Sequence, residues 1–270
     1  MKKVFIKNLF ESIYLLIDIC ILSIVIILKL PNIKNISKEK IKVVTGASSS
    51  HFKSLLQFLD STLNRNNIEV SIFTLDLTTS EFNKLEEFVK NKPNYELIQF
   101  NFSNYPDFFD IHENNGAYGW KAAMIHEAFV KHDGLILWLD SGNLIKSNLF
   151  IIKLFITTFN FYSPLSSNRI IDWTHPDTLA YYSYLSKHFN KRNKNGAIFG
   201  LNTKNKKAQE FINELLKSSL SEKVISPKGS SRLNHRYDQS LISLLFFKYF
   251  NIYIPKTYKA FGISIHNDID

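Results

Sequence analysis

Residues 41 to 140 alternate strand patterns with helix patterns, and no other feature limits the possible folds as much. "IKVVTGA" (41–47) is a β-rich run that ends in a turn. "HFKSLLQFLDSTLNRNN" (51–67) places Phe52, Leu55, Leu56, Leu59 and Leu63 on one helical face. "IEVSIFTLDL" (68–77) is a second strand, and "TTSEFNKLEEFVKN" (78–91) a helix capped by Thr79 or Ser80. "YELIQFNF" (95–102), "GWKAAMIHEAFVKHD" (119–133) and "GLILWLD" (134–140) continue as strand, helix and strand. This order predicts an α/β fold, a mainly parallel sheet with helices packed on it. No repeat or linker divides residues 41–270, so a single domain is expected there.

In open α/β sheets, ligands bind beyond the carboxyl ends of the strands. Asp140 stands at such an end, and Ser141 and Gly142 follow at once. On that stretch alone, Asp140 is either a site carboxylate or the start of a turn.

Ahead of the alternating region, residues 12–30 read "SIYLLIDICILSIVIILKL", about the length of a bilayer-spanning helix. Asp18 costs roughly 2.5–3.5 kcal/mol near the centre of a span, and about a dozen Ile, Leu and Val at roughly −0.3 to −0.6 kcal/mol each outweigh it. No small-x-small cleavage site follows, so a retained signal-anchor is expected rather than a cleaved signal peptide. Residues 1–30 therefore read as a membrane anchor contacting lipid. Residues 31–40, "PNIKNISKEK", read as a polar stem. The expectation is a single-pass membrane protein. The balance of lysines around the segment, and the absence of Cys after Cys20, lean towards a cytoplasmic main domain.

Composition narrows the partners. The net charge of +9 suits polyanions such as nucleic acid, anionic lipid or nucleotide diphosphates. The lysines are scattered and form no dense basic block, so nucleic acid is not an expected partner. A single cysteine excludes an intrachain disulfide and a Cys-based zinc site. No histidine pair has the i, i+4 spacing of a helical metal site. His126 reads as a packing residue, and His112, His132, His175 and His188 as loop or surface residues. "VVTGASSSHF" (43–52) resembles the nucleotide loop of short-chain dehydrogenases. It lacks the further glycines, with Ser48, Ser49, Ser50 and His51 in their places, and no Tyr-x-x-x-Lys pair accompanies it.

Three stretches carry candidate chemistry: "YGWKAAMIHEAFVKHDGLILWLDSGNLI" (118–145), "NGAIFGLNTKNKKAQEFINELL" (195–216) and "PKGSSRLNHRYDQSLISLLFFKYF" (227–250). In the last, Lys228, Arg232, His235 and Arg236 precede Asp238, Gln239 and a strongly apolar helix. Cations in a Gly/Ser loop ahead of a helix suit a diphosphate, with backbone N–H groups and positive charge acting together. A solvated basic loop with Asp238 as a plain cap is the alternative. In "IIDWTHPDTLAYYSYLSKHF" (170–189), Pro176 suits a first helical turn, with Leu179, Tyr182 and Leu185 facing the core. Trp173 and Asp177 are candidates for an acceptor lip.

The order of these stretches resembles GT-A glycosyltransferases, in particular the glycosyltransferase family 8-like group that includes glycogenin and bacterial lipopolysaccharide glycosyltransferases. A related glycosyltransferase-like group shares the Trp-Lys, Trp-x-Asp-Ser and His-Arg-x-Asp-Gln-Ser features. The resemblance spans most of residues 41–270 and rests on order and spacing rather than on any single motif. It implies a GT-A (Rossmann-like) mixed sheet flanked by helices. It further implies a hexosyltransferase moving a sugar from a nucleotide-sugar donor to a glycan, glycolipid or glycoprotein acceptor.

In the family, the strand ends in Asp-x-Asp, which holds a divalent metal on the donor diphosphate. Here Asp140 matches the first carboxylate and Gly142 stands where the second is expected. His266, in "FGISIHND", matches a further metal ligand, so Mn²⁺ or Mg²⁺ on Asp140 and His266 is one implied arrangement. Neutralisation of the leaving diphosphate by Lys228, Arg232 and Arg236 without metal is the other. Lys121 matches a basic residue near the nucleotide diphosphate. Asn195 and Gly196 match the donor and acceptor pocket. Asp238 and Gln239 match the pair beside the transferred sugar in retaining enzymes, while an inverting enzyme would use a carboxylate such as Asp238 as base. The missing second carboxylate also motivates a second expectation, a non-catalytic sugar or nucleotide-sugar binding protein on the same scaffold.

Overall fold

The structure is a computed structural model, and it describes Cys20, Ser23, Ile24, Ile27 and residues 33–65, 67–250 and 260–270. The expected anchor, residues 1–30, lies almost wholly outside the described residues. Among those described, no helix is long and apolar enough to cross a membrane.

The alternating region folds as its pattern requires. Strand β1 (Ile41–Ala47), helix α2 (Phe52–Thr62), β2 (Ile68–Thr74), α3 (Thr79–Val89), β3 (Tyr95–Gln99), α4 (Gly119–Lys131) and β4 (Leu135–Leu139) follow in order. Before them, a short helix α1 (Ile33–Lys38) occupies the expected stem. Ile36 of α1 is buried against Leu154, and Lys153 Nζ donates to the Ser37 carbonyl at 3.2 Å, which fixes this segment to the domain. Helix α3 begins one residue earlier than Thr79 or Ser80 capping would allow. Thr78 is its cap, in a reciprocal box with Glu81 that satisfies two otherwise orphan N–H groups.

The second half adds β5 (Leu144–Ile145), α5 (Phe150–Phe159), β6 (Phe161–Tyr162), β7 (Leu165–Arg169), α6 (Pro176–Tyr181), β8 (Arg192–Lys194) and β9 (Ile198–Asn202). Helices α7 (Lys206–Ser219), α8 (Glu222–Ile225) and α9 (Asp238–Tyr249) and strand β10 (Ile263–Ser264) complete it. The main sheet has the order β3-β2-β1-β4-β9-β6. The first four strands are parallel, whereas β9 pairs antiparallel with both β4 and β6. The sheet is therefore mixed and mainly parallel.

Alternating residues of one strand show that both faces are covered. Phe199 of β9 meets Phe211 of α7, while the next position, Gly200, faces Ile156 of α5. Strand β4 is buried along its whole length, as a central strand between two helical layers must be. The chain passes from β1 outward to β2 and β3, then returns to β4 on the other side of β1. That reversal opens a crevice at the carboxyl ends of β1 and β4, where such sheets bind ligands.

Candidate functional site

A cleft of about 660 Å³ occupies this crevice. Its walls come from the ends of β1, β2 and β4, the start of α4, the residues before β9, the start of α9 and the C-terminal segment. Asp140 lies in it directly after β4, with its backbone N–H donating to the Ala197 carbonyl at 3.0 Å. Trp138, two residues earlier on the same strand face, donates its indole N–H to Asp140 Oδ1 at 2.7 Å.

Lys121 joins the site's three parts. It sits in the first turn of α4 with its side chain only 7% exposed. Its Nζ lies 3.0 Å from Asp140 Oδ1 and 2.8 Å from Asp238 Oδ2, linking a strand tip to the start of α9. Burial alone would pull the Lys121 pKa down, but the two carboxylates outweigh it and keep the ammonium charged. Asp238 is displaced upward from the usual carboxylate range, first by burial and further by Asp140, with Lys121 offsetting part of this. One cation between two carboxylates leaves the cluster with a net negative charge.

Backbone conformation concentrates strain around these groups. Residues 114–118 run through five successive positive φ angles, from 47° to 59°, immediately before α4. Each non-glycine residue held there costs about 1–2 kcal/mol. Gly116 is required for a steric reason as well, because a β-carbon there would lie 2.2 Å from the Phe109 carbonyl oxygen. Tyr237, directly before Asp238, has φ 45°, and its ring lies 5.6 Å from that of Tyr118. Both Lys121 and Asp238 thus follow a strained tyrosine at a helix start, a pattern associated with functional positions.

The remaining predicted residues divide. Asn195, Gly196, Trp173, Arg232, Arg236, Gln239 and His266 line the same cleft as Asp140, Lys121 and Asp238. Gly196 lets α9 approach closely, since a β-carbon there would lie 3.0 Å from Gln239 Cβ and 3.2 Å from Asp238 Oδ2. The Arg236 guanidinium stacks over the Trp173 ring at 4.1 Å, and Ser240 Oγ donates to the Trp173 carbonyl at 2.8 Å. Asn195 Oδ1 accepts from the Ala197 N–H at 2.7 Å.

Three predicted residues stand elsewhere. His235 is fully buried and away from the cleft, correcting its assignment to a diphosphate. Its Nε2 faces the Ile225 carbonyl at 2.9 Å, its Nδ1 accepts from the His175 N–H at 3.1 Å, and burial lowers its pKa to about 4. A neutral, internally bonded imidazole packs the loop instead of binding an anion. Lys228 is exposed in its loop and does not line the cleft, and neither does Asp177, which is 69% exposed at the start of α6. His188, expected at the surface, is buried and stacks on Phe247.

Composition and motif gave no signal for Tyr118 or Tyr237, and Trp138 stood only as the Trp of the Trp-x-Asp-Ser feature, with no role assigned to it. Asp268 was also missed, although the stretch containing it was singled out for His266. A divalent ion needs several oxygen or imidazole donors on one site. Asp140, His266 and Asp268 all line the cleft. Gly142, where a second carboxylate was expected, faces Asp268: a β-carbon at 142 would lie 2.1 Å from Asp268 Oδ1. Carboxylate and imidazole donors of the kind such an ion takes are therefore present in the cleft. Among the described residues, the group of three whose ligand atoms all lie within 4.8 Å of one another is the exposed one of His51, Asp268 and Asp270; Asp140 and His266 do not join Asp268 in such a group.

No protein family and no curated protein matches this chain. Solved structures do match its fold. The apo structure of the bifunctional glycosyltransferase WbbM aligns with a TM-score of 0.55 and 14% identity, over 78% of this chain and 38% of that one. The galactosyltransferase LgtC, solved with donor and acceptor sugar analogues, aligns with a TM-score of 0.52 and 16% identity, over 76% of this chain and 70% of that one. The chain thus spans well under half of the WbbM polypeptide. It shares a glycosyltransferase fold, and its mixed sheet flanked by helices fits the GT-A arrangement.

Proposed function

We propose that this chain is a glycosyltransferase of the family 8-like type, moving a hexose from a nucleotide-sugar donor to a glycan, lipid or protein acceptor. The observation that carries the reading is the Lys121 bridge. It holds a strand-tip carboxylate, Asp140, and a helix-start carboxylate, Asp238, together in the crevice where this fold class binds ligands.

In this reading the donor diphosphate lies beside Asp140, in the cleft that Arg232 and Arg236 also line. Their guanidinium groups stabilise the charge that develops on the leaving diphosphate, the electrostatic contribution that often dominates catalysis. Lys121 keeps both carboxylates oriented and ionised. Asp238 and Gln239 face the transferred sugar. If configuration is retained, Asp238 binds sugar hydroxyls and Gln239 lies beneath the anomeric carbon; if it is inverted, Asp238 takes the proton of the acceptor hydroxyl. Trp173, stacked by Arg236, offers an aromatic face to the acceptor. A bound Mn²⁺ or Mg²⁺ would add Lewis-acid neutralisation of the diphosphate, held by Asp140 and His266. The domain organisation proposed with it is a membrane anchor at 1–30, a stem at 31–40 and the transferase domain at 41–270.

The test is turnover by the full-length chain on a panel of UDP- and GDP-sugars, with and without Mn²⁺. The reading predicts release of nucleoside diphosphate from at least one donor, faster when acceptor is present. Donor binding without hydrolysis or transfer from any member of the panel would instead support a non-catalytic binding protein. Gly142 in place of the second carboxylate is what keeps that reading in view.

A further inference from the structure

Apart from Arg232 and Arg236, which also line the cleft, Lys121 is the one cation of the described residues set among the carboxylates of Asp140, Asp238 and Asp268. Lys121 is shared by Asp140 and Asp238. No salt bridge engages Asp268 among the described residues. An anionic diphosphate would enter such a wall against repulsion unless a cation bridged the two. The backbone shows how the wall is assembled. Asp140 through Asn143 form a turn closed by the Asn143 N–H on the Asp140 carbonyl at 3.0 Å. The C-terminal segment is fastened along that turn. Strand β10 pairs with β5, the Asn267 N–H donates to the Gly142 carbonyl at 2.7 Å, and the His266 N–H donates to Asn143 Oδ1 at 3.3 Å.

These bonds set the Asp268 carboxylate directly over Gly142. Both of its oxygens, and its Cγ, would lie within 2.6 Å of a β-carbon at 142. The space that a side chain at 142 would enter is thus filled by a carboxylate from residue 268. Asp140 has both of its described contacts on Oδ1, from Trp138 and Lys121, so Oδ2 is left for a ligand. Asp270 is differently committed: its carboxylate accepts from the Lys53 and Ser54 N–H groups at 3.1 and 3.2 Å, capping α2.

We infer that Asp268 supplies, across the chain, the second carboxylate that the strand-tip turn lacks, and that Asp140 and Asp268 together hold a divalent cation. Gly142 is then the room that a C-terminal ligand occupies. The inference rests on the same reading of the site as the proposed function, and its test reads the metal directly.

Mn²⁺ alone is titrated into the full-length chain, and free Mn²⁺ is followed by its electron paramagnetic resonance signal. Asp140→Asn and Asp268→Asn should each weaken binding by about tenfold or more, since removing a charged ligand lowers affinity for a hard cation. Gly142→Asp alone should not strengthen binding, because Asp268 already fills the space. Gly142→Asp combined with Asp268→Ala should recover most of the affinity lost in Asp268→Ala. Circular dichroism checks that each variant is folded. Wild-type affinity in Asp268→Asn would overturn the inference, as would an absence of Mn²⁺ binding by the wild type. Loss of binding in His51→Ala with none in Asp140→Asn would also overturn it, by moving the ion to the outer group of His51, Asp268 and Asp270. Donor turnover that persists while these metal results fail would leave the proposed function standing. The expected metal pattern without any donor turnover would leave this inference standing alone.

Discussion

Replacing Lys121 by Met keeps the aliphatic stem and removes only the charge between two carboxylates. The ammonium lies 2.8 Å from Asp238 Oδ2 and 3.0 Å from Asp140 Oδ1. Removing one partner of a buried ion pair costs about 3–5 kcal/mol, because the other charge stays desolvated. Most of that arises at Asp238, whose side chain is 10% exposed. Asp140, at 38%, is screened by water and contributes no more than about 1 kcal/mol. The loss must also depend on pH. Without Lys121, the Asp238 pKa rises further above its already raised wild-type value. The unfolded state is common to both proteins, so the loss is small below the wild-type folded pKa and grows as pH rises towards that of the variant, by at most about 1.4 kcal/mol per pH unit. A loss of about 4 kcal/mol at pH 8 should therefore be clearly smaller at pH 5.5. Urea unfolding followed by tryptophan fluorescence at both pH values measures it. Equal losses at the two pH values, or a loss below about 1 kcal/mol at pH 8, would refute the claim that Lys121 neutralises a buried carboxylate.

Other perturbations test the supporting structure. Trp138→Phe removes the 2.7 Å bond to Asp140 while keeping an aromatic ring, and should lower stability by about 1.5–3 kcal/mol in denaturant titration and reduce donor turnover. Gly116→Ala combines a positive φ with a 2.2 Å approach to the Phe109 carbonyl oxygen, so it should lower the melting temperature and misplace Lys121, read as a fall in turnover. His235 is held neutral, with its pKa lowered to about 4 from an ordinary 6.5. Its contribution is complete above pH 6.5 and is lost as pH falls towards 4, about 3 kcal/mol in all. His235→Gln should flatten the dependence of urea stability on pH between 6.5 and 4, and an unchanged slope would contradict the assignment.

The first half of the fold was legible because its period is local. "IKVVTGA" is strand β1 residue for residue, and "GWKAAMIHEAFVKHD" contains α4 whole. The antiparallel pairing of β9 with β4 and β6, and of β10 with β5, was not legible, because it depends on contacts between distant segments. The site divides in the same way. Asp140, Lys121 and Asp238 were each marked by position at the end or start of an element, but their meeting on one ammonium needed the tertiary structure. His235 was misread because four cations in nine residues look alike in one dimension, while one of them turns into the core between Ile225 and His175. Asp268 went unseen because its significance lies opposite a glycine 126 residues earlier, a relation that only the clamp of the C-terminal segment creates.

The account's central claim is that Asp140 and Asp238, joined by Lys121, are the reacting centre of a sugar-transfer site. It is tested most directly by steady-state release of nucleoside diphosphate from the preferred donor, comparing wild type with Asp238→Asn and Asp140→Ala. The account predicts that kcat falls by about a hundredfold or more in Asp238→Asn with KM little changed, and that Asp140→Ala loses donor affinity as well. Rates within twofold of wild type in both folded variants would contradict it.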